Sequence, residues 1–516
     1  MNTIVPFDNT VWERRPRTPR RPELAKKKSF VHQATLWLVW ITVASSAIVF
    51  AEPSPADILA AGLIVVLPAI GLVRFTPGLG APLCLLLILC ATGIFATTLA
   101  TDLIGSLKHN AITIYLCTTA ILFAAFVAYK PNQHTRLILN AYLVTALIAA
   151  LAGIAGVLDL IPGAEQLFTK FGRASGTFKD PNVFGPFLIP ALVYAIHLVL
   201  TRPVKIMLPA FVSLGILTTA ILLSLSRGAW LGASLAVGLY LYFFFISARR
   251  DIDRLKVAGI GLFGMIGIVA VIGVIAQSPE LGTLLSDRAT LTQTYDVGTE
   301  GRFGGQAKAL KIIQDNPIGI GALEFTAAGH HHENAHNTYL TFFLSNGWLG
   351  GFSFLILALV TLALGLRHAL TRASAHPLFG VIFVSLVALF AQALLVDIDH
   401  WRQLFLLLGV AWGMMASNVN DVPERSSRIV SDRRPILLQP VITVGPTRRS
   451  NRIVRRLPKR IELSEAQTTQ HKPRQHGRII IRKPCNDSGS ALVRKFREKN
   501  KAQSAKILPL RKPDTH

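Results

Sequence analysis

Charge is scarce in this sequence of 516 residues. Asp, Glu, Lys and Arg together make 16% of it, against about 25% in an ordinary soluble domain. The mean hydropathy is +0.46 even though both ends are polar, which excludes a soluble globular protein. Cysteine is also rare. Cys84, Cys90 and Cys117 lie in apolar stretches and Cys485 in a basic tail, with neither metal-ligand spacing nor the pattern of a disulfide-stapled secreted domain. No glycine-rich nucleotide loop is visible, which argues against ATP or nucleotide-sugar dependence. No internal repeat and no acidic residue at mid-span supports a twelve-span secondary transporter, the main alternative of a different class.

What the chain does have is apolar runs long enough to cross a bilayer, which takes about 18 or more residues. They fall near residues 34–51, 56–73, 80–100, 109–129, 137–158, 183–201, 204–225, 228–247, 257–276, 338–366, 377–396 and 401–417. The expected fold is therefore all-α, a polytopic membrane protein of about twelve transmembrane helices. Some thirty polar residues precede the first run, too many for the n-region of a cleaved signal peptide, so that run reads as an uncleaved helix.

The formal charge of +25 comes from 53 Lys and Arg against 28 Asp and Glu, and 32 of those basic residues lie in Arg14–Lys28 and Arg425–Lys512. Such a surplus invites a nucleic-acid reading, but no aromatic pattern interleaves the charge as single-strand binding requires. The division expected is a basic cytoplasmic tail over 1–30, a membrane domain over 31–417 and a disordered basic tail over 418–516, attracted to the anionic membrane lipids. Short loops with Arg74, Lys130 and Arg136, Arg202 and Lys205, the Arg249–Lys256 cluster, and Arg367 and Arg372 would be cytoplasmic by the positive-inside rule. Both termini then lie in the cytoplasm, and the two long loops, 159–181 and 277–336, face the periplasm with short helices in the second. Function is expected there.

Four ionisable side chains stand at that outer rim: Arg173 in Gly172-Arg173-Ala174-Ser175-Gly176, Arg227 in Ser226-Arg227-Gly228-Ala229-Trp230, Arg302 after Gly301, and His336 in His336-Asn337-Thr338-Tyr339. Each alone has a bland reading, an interfacial anchor or a loop arginine. Together they are what a diphosphate-linked substrate needs, because guanidinium groups present a planar fork to phosphate oxygens. After Arg302, the residues Ala309, Leu310 and Ile313 are expected on one helical face. His332-Glu333-Asn334-Ala335-His336 also spells the zinc-protease pattern, which requires both imidazoles one turn apart on a helix. Here the spelling precedes the span, in a loop-like run, so a zinc membrane protease is the lesser reading and no metal is expected.

These segments resemble the O-antigen ligase and polymerase superfamily of bacterial envelope glycosyltransferases, over roughly residues 160–415. The likeness is carried by Arg173–Phe178 with Pro181-Asn182, by Ser226–Gly232, by Gly301-Arg302 with Ala309–Ile313 and Asn316–Gly321, and by His336–Leu340 with Gly347–Gly351. The resemblance implies an enzyme of the inner membrane that moves a glycan from undecaprenyl diphosphate, at the periplasmic face and without a cofactor. Its acceptor would be lipid A-core for a ligase, the leading expectation, or another lipid-linked glycan for a polymerase of O-antigen or exopolysaccharide. Carried over by motif, Arg227 and Arg302 hold the diphosphate and His336 orients or deprotonates the acceptor hydroxyl. Arg173, Asn182 and Asn337 then contribute to substrate binding. The chain departs from the pattern in two places: Gly304, Gly305 and Gln306 stand where members often place a Trp, and three histidines precede Glu333.

Overall fold

The computed structural model describes residues 22–50, 53–289, 298, 301–372 and 376–417. The expected tail over 418–516 and most of the one over 1–30 lie outside the described residues. Twelve apolar helices form the body: α1 (Pro22–Ala44), α2 (Pro55–Ile70), α3 (Gly80–Thr97), α4 (Leu103–Tyr129) and α5 (Pro131–Val157), then, after a short α6 (Ala164–Phe168), α7 (Pro181–Thr201), α8 (Val204–Leu223), α9 (Arg227–Ser247) and α10 (Asp251–Gln277). The short helices α11 (Pro279–Ala289), α12 (Arg302–Asp315) and α13 (Glu324–Ala327) follow, and α14 (Thr338–Thr371), α15 (Phe379–Gln392) and α16 (Arg402–Ala416) complete it. Eight are long and apolar enough to span a bilayer, and the apolar parts of α1, α2, α15 and α16 are shorter. Each expected span coincides with one of the twelve, although α1 begins earlier, at Pro22, and ends at Ala44 rather than near 51.

Burial separates the helices by role. In α7 every residue from Phe184 to Leu200 is buried, making it the central helix. In α10 only Ile275 is, and Leu262, Phe263, Met265, Ile266 and Val269 stand exposed. From Val257 on the helix is apolar on all faces and packs only lightly against α8 and α9, as suits a lipid-facing position. Inside the bundle, several polar groups are paired as an apolar medium demands. Tyr142 donates to the Phe187 carbonyl at 2.8 Å, Tyr194 to Asn140 at 2.7 Å, and the Trp412 indole to Thr361 at 2.9 Å.

Six alternate connections meet at one end of the bundle. Arg402 pairs with Asp57 at 2.6 Å, Thr101 donates to Glu324, Arg173 to the Ser224 carbonyl, Gln392 to the Gly228 carbonyl, and Thr338 N–H to the Ala393 carbonyl. At the opposite end Thr76 reaches the Ala416 carbonyl. The alternation that the apolar runs imply is therefore built into these contacts. Five of the six apolar helices that start at the first end are capped by their own sequence, and α16 has no side-chain cap. Ser54, Asp102, Asp180, Ser226 and Asn337 each accept a backbone N–H at the start of α2, α4, α7, α9 and α14, whereas α3, α5, α8, α10 and α15, which start at the other end, have no side-chain cap. Helix N-termini carry partial positive charge, so this rim is electropositive before any side chain is counted.

Helix α14 is broken at Gly347, whose φ of 68° and ψ of −172° are not helical. In a continuous helix the Trp348 N–H would bond the Leu344 carbonyl. Instead Trp348 N–H donates to the Pro317 carbonyl and Leu344 accepts from Ile320 N–H, both at 2.8 Å. The segment Asn316–Gly321 is thus threaded into the break. Gly319, at φ +91°, is required because a Cβ would lie 2.6 Å from Gly347 N, and a Cβ on Gly347 would run into the Ile318 carbonyl.

Substituting Gly347→Ala combines a left-handed φ, which costs about 1–3 kcal/mol, with that collision. Thermal unfolding in detergent is expected to show a large loss of Tm or no folded protein. Gly273→Ala on α10, where a Cβ meets nothing within 4 Å, should leave Tm unchanged or raise it.

Candidate functional site

His336 ends the loop that follows α13 and sits at φ +49°, a conformation a residue with a Cβ adopts only when its surroundings enforce it. The enforcing group is Asp397, in the connection between α15 and α16. Its carboxylate accepts from the backbone N–H of His336 at 3.2 Å and of Asn337 at 3.1 Å, and from the Thr341 hydroxyl at 2.7 Å. Burial, and then the charge of Asp399, push the Asp397 carboxyl above its usual value, while Thr341 and His336 pull it back. Asn337 caps α14 by accepting from Tyr339 and Leu340 N–H. The corner is thereby fixed and the imidazole left accessible, with 30% of the His336 side chain exposed.

The imidazole Nε2 lies 3.0 Å from Glu333 Oε2. That bond holds the Glu333 carboxyl below its ordinary value against partial desolvation, assisted by the charges of His336, His332 and Arg302. Arg302 opens α12 and adds its charge to this local field, while the hydrogen bond joins His336 and Glu333. The zinc-protease spelling does not form its site: residues 331–337 are irregular backbone, and Glu333 is bonded to His336 itself.

Arg173 and Asn182 occupy a different position. A short hairpin, β1 (Thr169–Lys170) with β2 (Arg173–Ala174), turns at Phe171 and Gly172, both at positive φ. It sinks Arg173 to 4% exposure. The guanidinium donates through Nε to the Ser224 carbonyl and through Nη2 to Asn182 Oδ1, each at 2.9 Å. Arg173 therefore ties the hairpin and the start of α7 to the turn that presents Arg227. That turn, Ser224–Ser226, has Leu225 at φ +46°, and Arg227 is the first residue of α9, half-buried. Gly228, beside it, is joined through Gln392 to the same α15–α16 connection that carries Asp397.

The rim thus consists of a His336–Glu333 pair in the field of Arg302 and an Arg227 turn, the pair and the turn both anchored on residues 392–398. Sequence reasoning missed Asp397, Gln392 and Gln306 as anchors. Asp397 stands in the sequence outside every motif that carries the resemblance. Gln306 donates at 3.4 Å to the His336 and Leu394 carbonyls, and the imidazole of buried His331 packs over Gly305, where a Cβ would meet it at 3.1 Å. The unusual glycines make room for the unusual histidines. On α12, Ala309 and Ile313 are buried against Phe325, Ala335 and Leu344, but Leu310 is 51% exposed. It departs from the expected shared face because adjacent residues diverge by about 100° around a helix.

Residues 211–355 match the family model described as O-antigen ligase. The match runs from α8 into α14 and includes Arg227, Arg302, His336 and the Gly347 break. No curated protein matches the chain. Over this stretch the chain is similar to the O-antigen ligase family, which supports a place in the O-antigen ligase and polymerase superfamily.

Hydrogen bonds to a charged group contribute about 1.5–3 kcal/mol each, and Asp397 receives three. Asp397→Ala is expected to lower Tm and to speed amide hydrogen exchange at His336–Leu340, while Lys311→Ala, on the exposed side of α12, changes neither.

Proposed function

We propose that the protein moves a glycan from a lipid-linked diphosphate, undecaprenyl diphosphate, to a hydroxyl acceptor at the periplasmic face of the inner membrane, as an O-antigen ligase using lipid A-core. The observation that carries the reading is the His336–Glu333 pair, within the field of Arg302 and braced on the same connection as Arg227, on a rim of helix N-termini. A diphosphate is already a good leaving group. Positive charge fixed where the departing oxygen gains charge stabilises the transition state and needs no reorganisation during the reaction. Arg227 and Arg302 fill that role, with the N-termini of α9 and α14 adding to the field.

His336 acts on the acceptor. Its Nε2 faces Glu333, which orients the ring and stabilises positive charge on it as a proton is taken from the hydroxyl. The C1–O bond to the diphosphate breaks as the acceptor oxygen attacks, so direct displacement inverts the anomeric centre. Arg173 and Asn182 shape the wall beside α7, and Asn337 serves by fixing the corner that aims His336. A groove of about 680 Å³ between α2 and α4, walled by Ile58, Ala61, Ala111 and Ile112 with Lys108 and His400 at its edge, offers apolar surface for the chain of a lipid substrate next to the loop that holds His336.

Loss of one such preorganised donor costs roughly 10²–10³ in rate. In cells, Arg227→Ala, Arg302→Ala and His336→Ala are each expected to abolish the O-antigen ladder of lipopolysaccharide on gels, with lipid-linked glycan of normal length accumulating. An unchanged ladder together with lost exopolysaccharide would instead identify a polymerase, and wild-type transfer in Arg227→Ala would overturn the diphosphate clamp.

The pH dependence follows from Glu333. Its folded carboxyl titrates below the ordinary 4.5, so its grip on His336 is complete above that value and is lost as pH falls through the depressed one. Transfer by wild-type membranes should keep this contribution down to about pH 4.5. Glu333→Gln should lower activity across the whole range and remove that acid limb.

A further inference from the structure

A second cluster lies beside Asp397; of its residues His400 borders the groove described above, and none acts on the bond being transferred. His109, on the second turn of α4, and Asp399 and His400, in the α15–α16 connection, bring three ligand atoms within 4.8 Å of one another. His109 Nε2 is 3.6 Å and His400 Nε2 3.9 Å from the same oxygen, Asp399 Oδ2. These separations are too long for hydrogen bonds. They are within a few tenths of an ångström of the edge of a tetrahedron whose centre bonds its corners at about 2.0–2.1 Å, roughly 3.3–3.4 Å, and the third pair, His109 with His400, lies within 4.8 Å. The ring centroids lie 4.1 Å apart with the planes tilted by 40°, and the Nε2 atoms of both rings approach one carboxylate.

The surroundings favour an ion over a simple pair. Asp399 is 8% exposed, and among the described residues its carboxylate receives no hydrogen bond; it has only the two imidazoles at ion-pair distance. Asp397 adds a second buried carboxylate close by. Buried carboxylates demand compensating charge. Thr113 places its hydroxyl 3.0 Å from His400 Nε2, and a cavity of about 50 Å³ lined by His109, Asn334, Thr341, Asp397 and Asp399 is large enough for a water. Two imidazoles, one carboxylate and an open fourth position form a donor set suited to zinc.

We propose that His109, Asp399 and His400 bind a divalent transition ion of the zinc class, with Thr113 or a water as fourth ligand. The ion pins α4 to the connection whose Asp397 sets the His336 corner, and so positions that corner without touching substrate. This site is distinct from the His332–His336 spelling and does not depend on glycosyl transfer being the activity.

The test uses the full chain, purified in detergent with a tag free of histidine, stripped with chelator and dialysed against zinc. Elemental analysis is expected to find one zinc per chain, with a rise in Tm on loading. X-ray absorption at the zinc edge should report two imidazole nitrogens and a carboxylate oxygen. Binding should survive His330→Ala/His332→Ala, both exposed side chains. In His109→Ala and Asp399→Asn it should weaken by more than the roughly 10- to 100-fold that loss of an outer-shell partner costs. No stoichiometric zinc on the wild-type chain, or zinc lost in the double variant and kept in His109→Ala, overturns the proposal. Should His109→Ala not fold, the absorption spectrum of the double variant decides: two imidazoles and a carboxylate support the site, and any other shell overturns it.

Discussion

The break at Gly347 exchanges one helical hydrogen bond for two bonds to a distant strip of chain. In a bilayer-buried helix, unpaired backbone groups cost several kcal/mol each, so the break exists only because Pro317 and Ile320 supply the missing partners. The exchange works in both directions. The same two bonds, with the Trp348 indole donating to the Ile313 carbonyl at 2.8 Å, fasten the far end of the α12 segment to the membrane domain. Arg302 begins that segment and Glu333 lies beyond it. Without the break the loop would have no fixed seat, and the arginine and the carboxylate would have no defined place relative to His336.

A broken mid-membrane helix is also what a transporter would show. Here the opening is filled by the chain's own backbone, and neither Asn316–Gly321 nor Ser345–Gly351 contains a charged residue. Asn346 is spent on the Leu89 carbonyl at 2.9 Å. The charge of the molecule's functional end sits instead on the rim, where capped helix N-termini and arginines converge. The arginines at this end therefore lie at the edge of the apolar body, at the starts of α9 and α12.

The membrane body was legible in the sequence because its signal is additive. Each apolar run sums some twenty residues, and basic residues in alternate short loops order the runs. The twelve helices follow that reading closely. The rim residues were legible as an unusual collection, Arg173, Arg227, Arg302 and His336, but their division of labour was not. Burial decides it, and burial depends on tertiary pairing. Arg173 looks in sequence like any loop arginine beside glycines, yet a two-residue turn with positive φ at Phe171 and Gly172 folds it beneath the Ser224 carbonyl. Asp397 acts on residues 60 and 61 positions away, a separation no local pattern encodes. The short hairpin itself escaped notice because two-residue strands leave no periodicity to read.

The departure at Gly304–Gln306 and the run His330–His332 looked like two separate irregularities, and the structure makes them one. His331 can lie over α12 only where Gly305 has no side chain, and its Nδ1 then accepts from Glu333 N–H at 3.2 Å. This sets the backbone direction from which the Glu333 side chain reaches His336. Gln306, one residue along, holds the His336 and Leu394 carbonyls and so bridges the two loops that flank the imidazole. A large indole at this position would displace His331 and, with it, the carboxylate. His336 and the carboxylate beside it are therefore placed together by a glycine, a glutamine and a buried histidine. A substitution at Gly305 should alter the acceptor side of the site while leaving the Arg227 turn, which is braced through Gln392, in place.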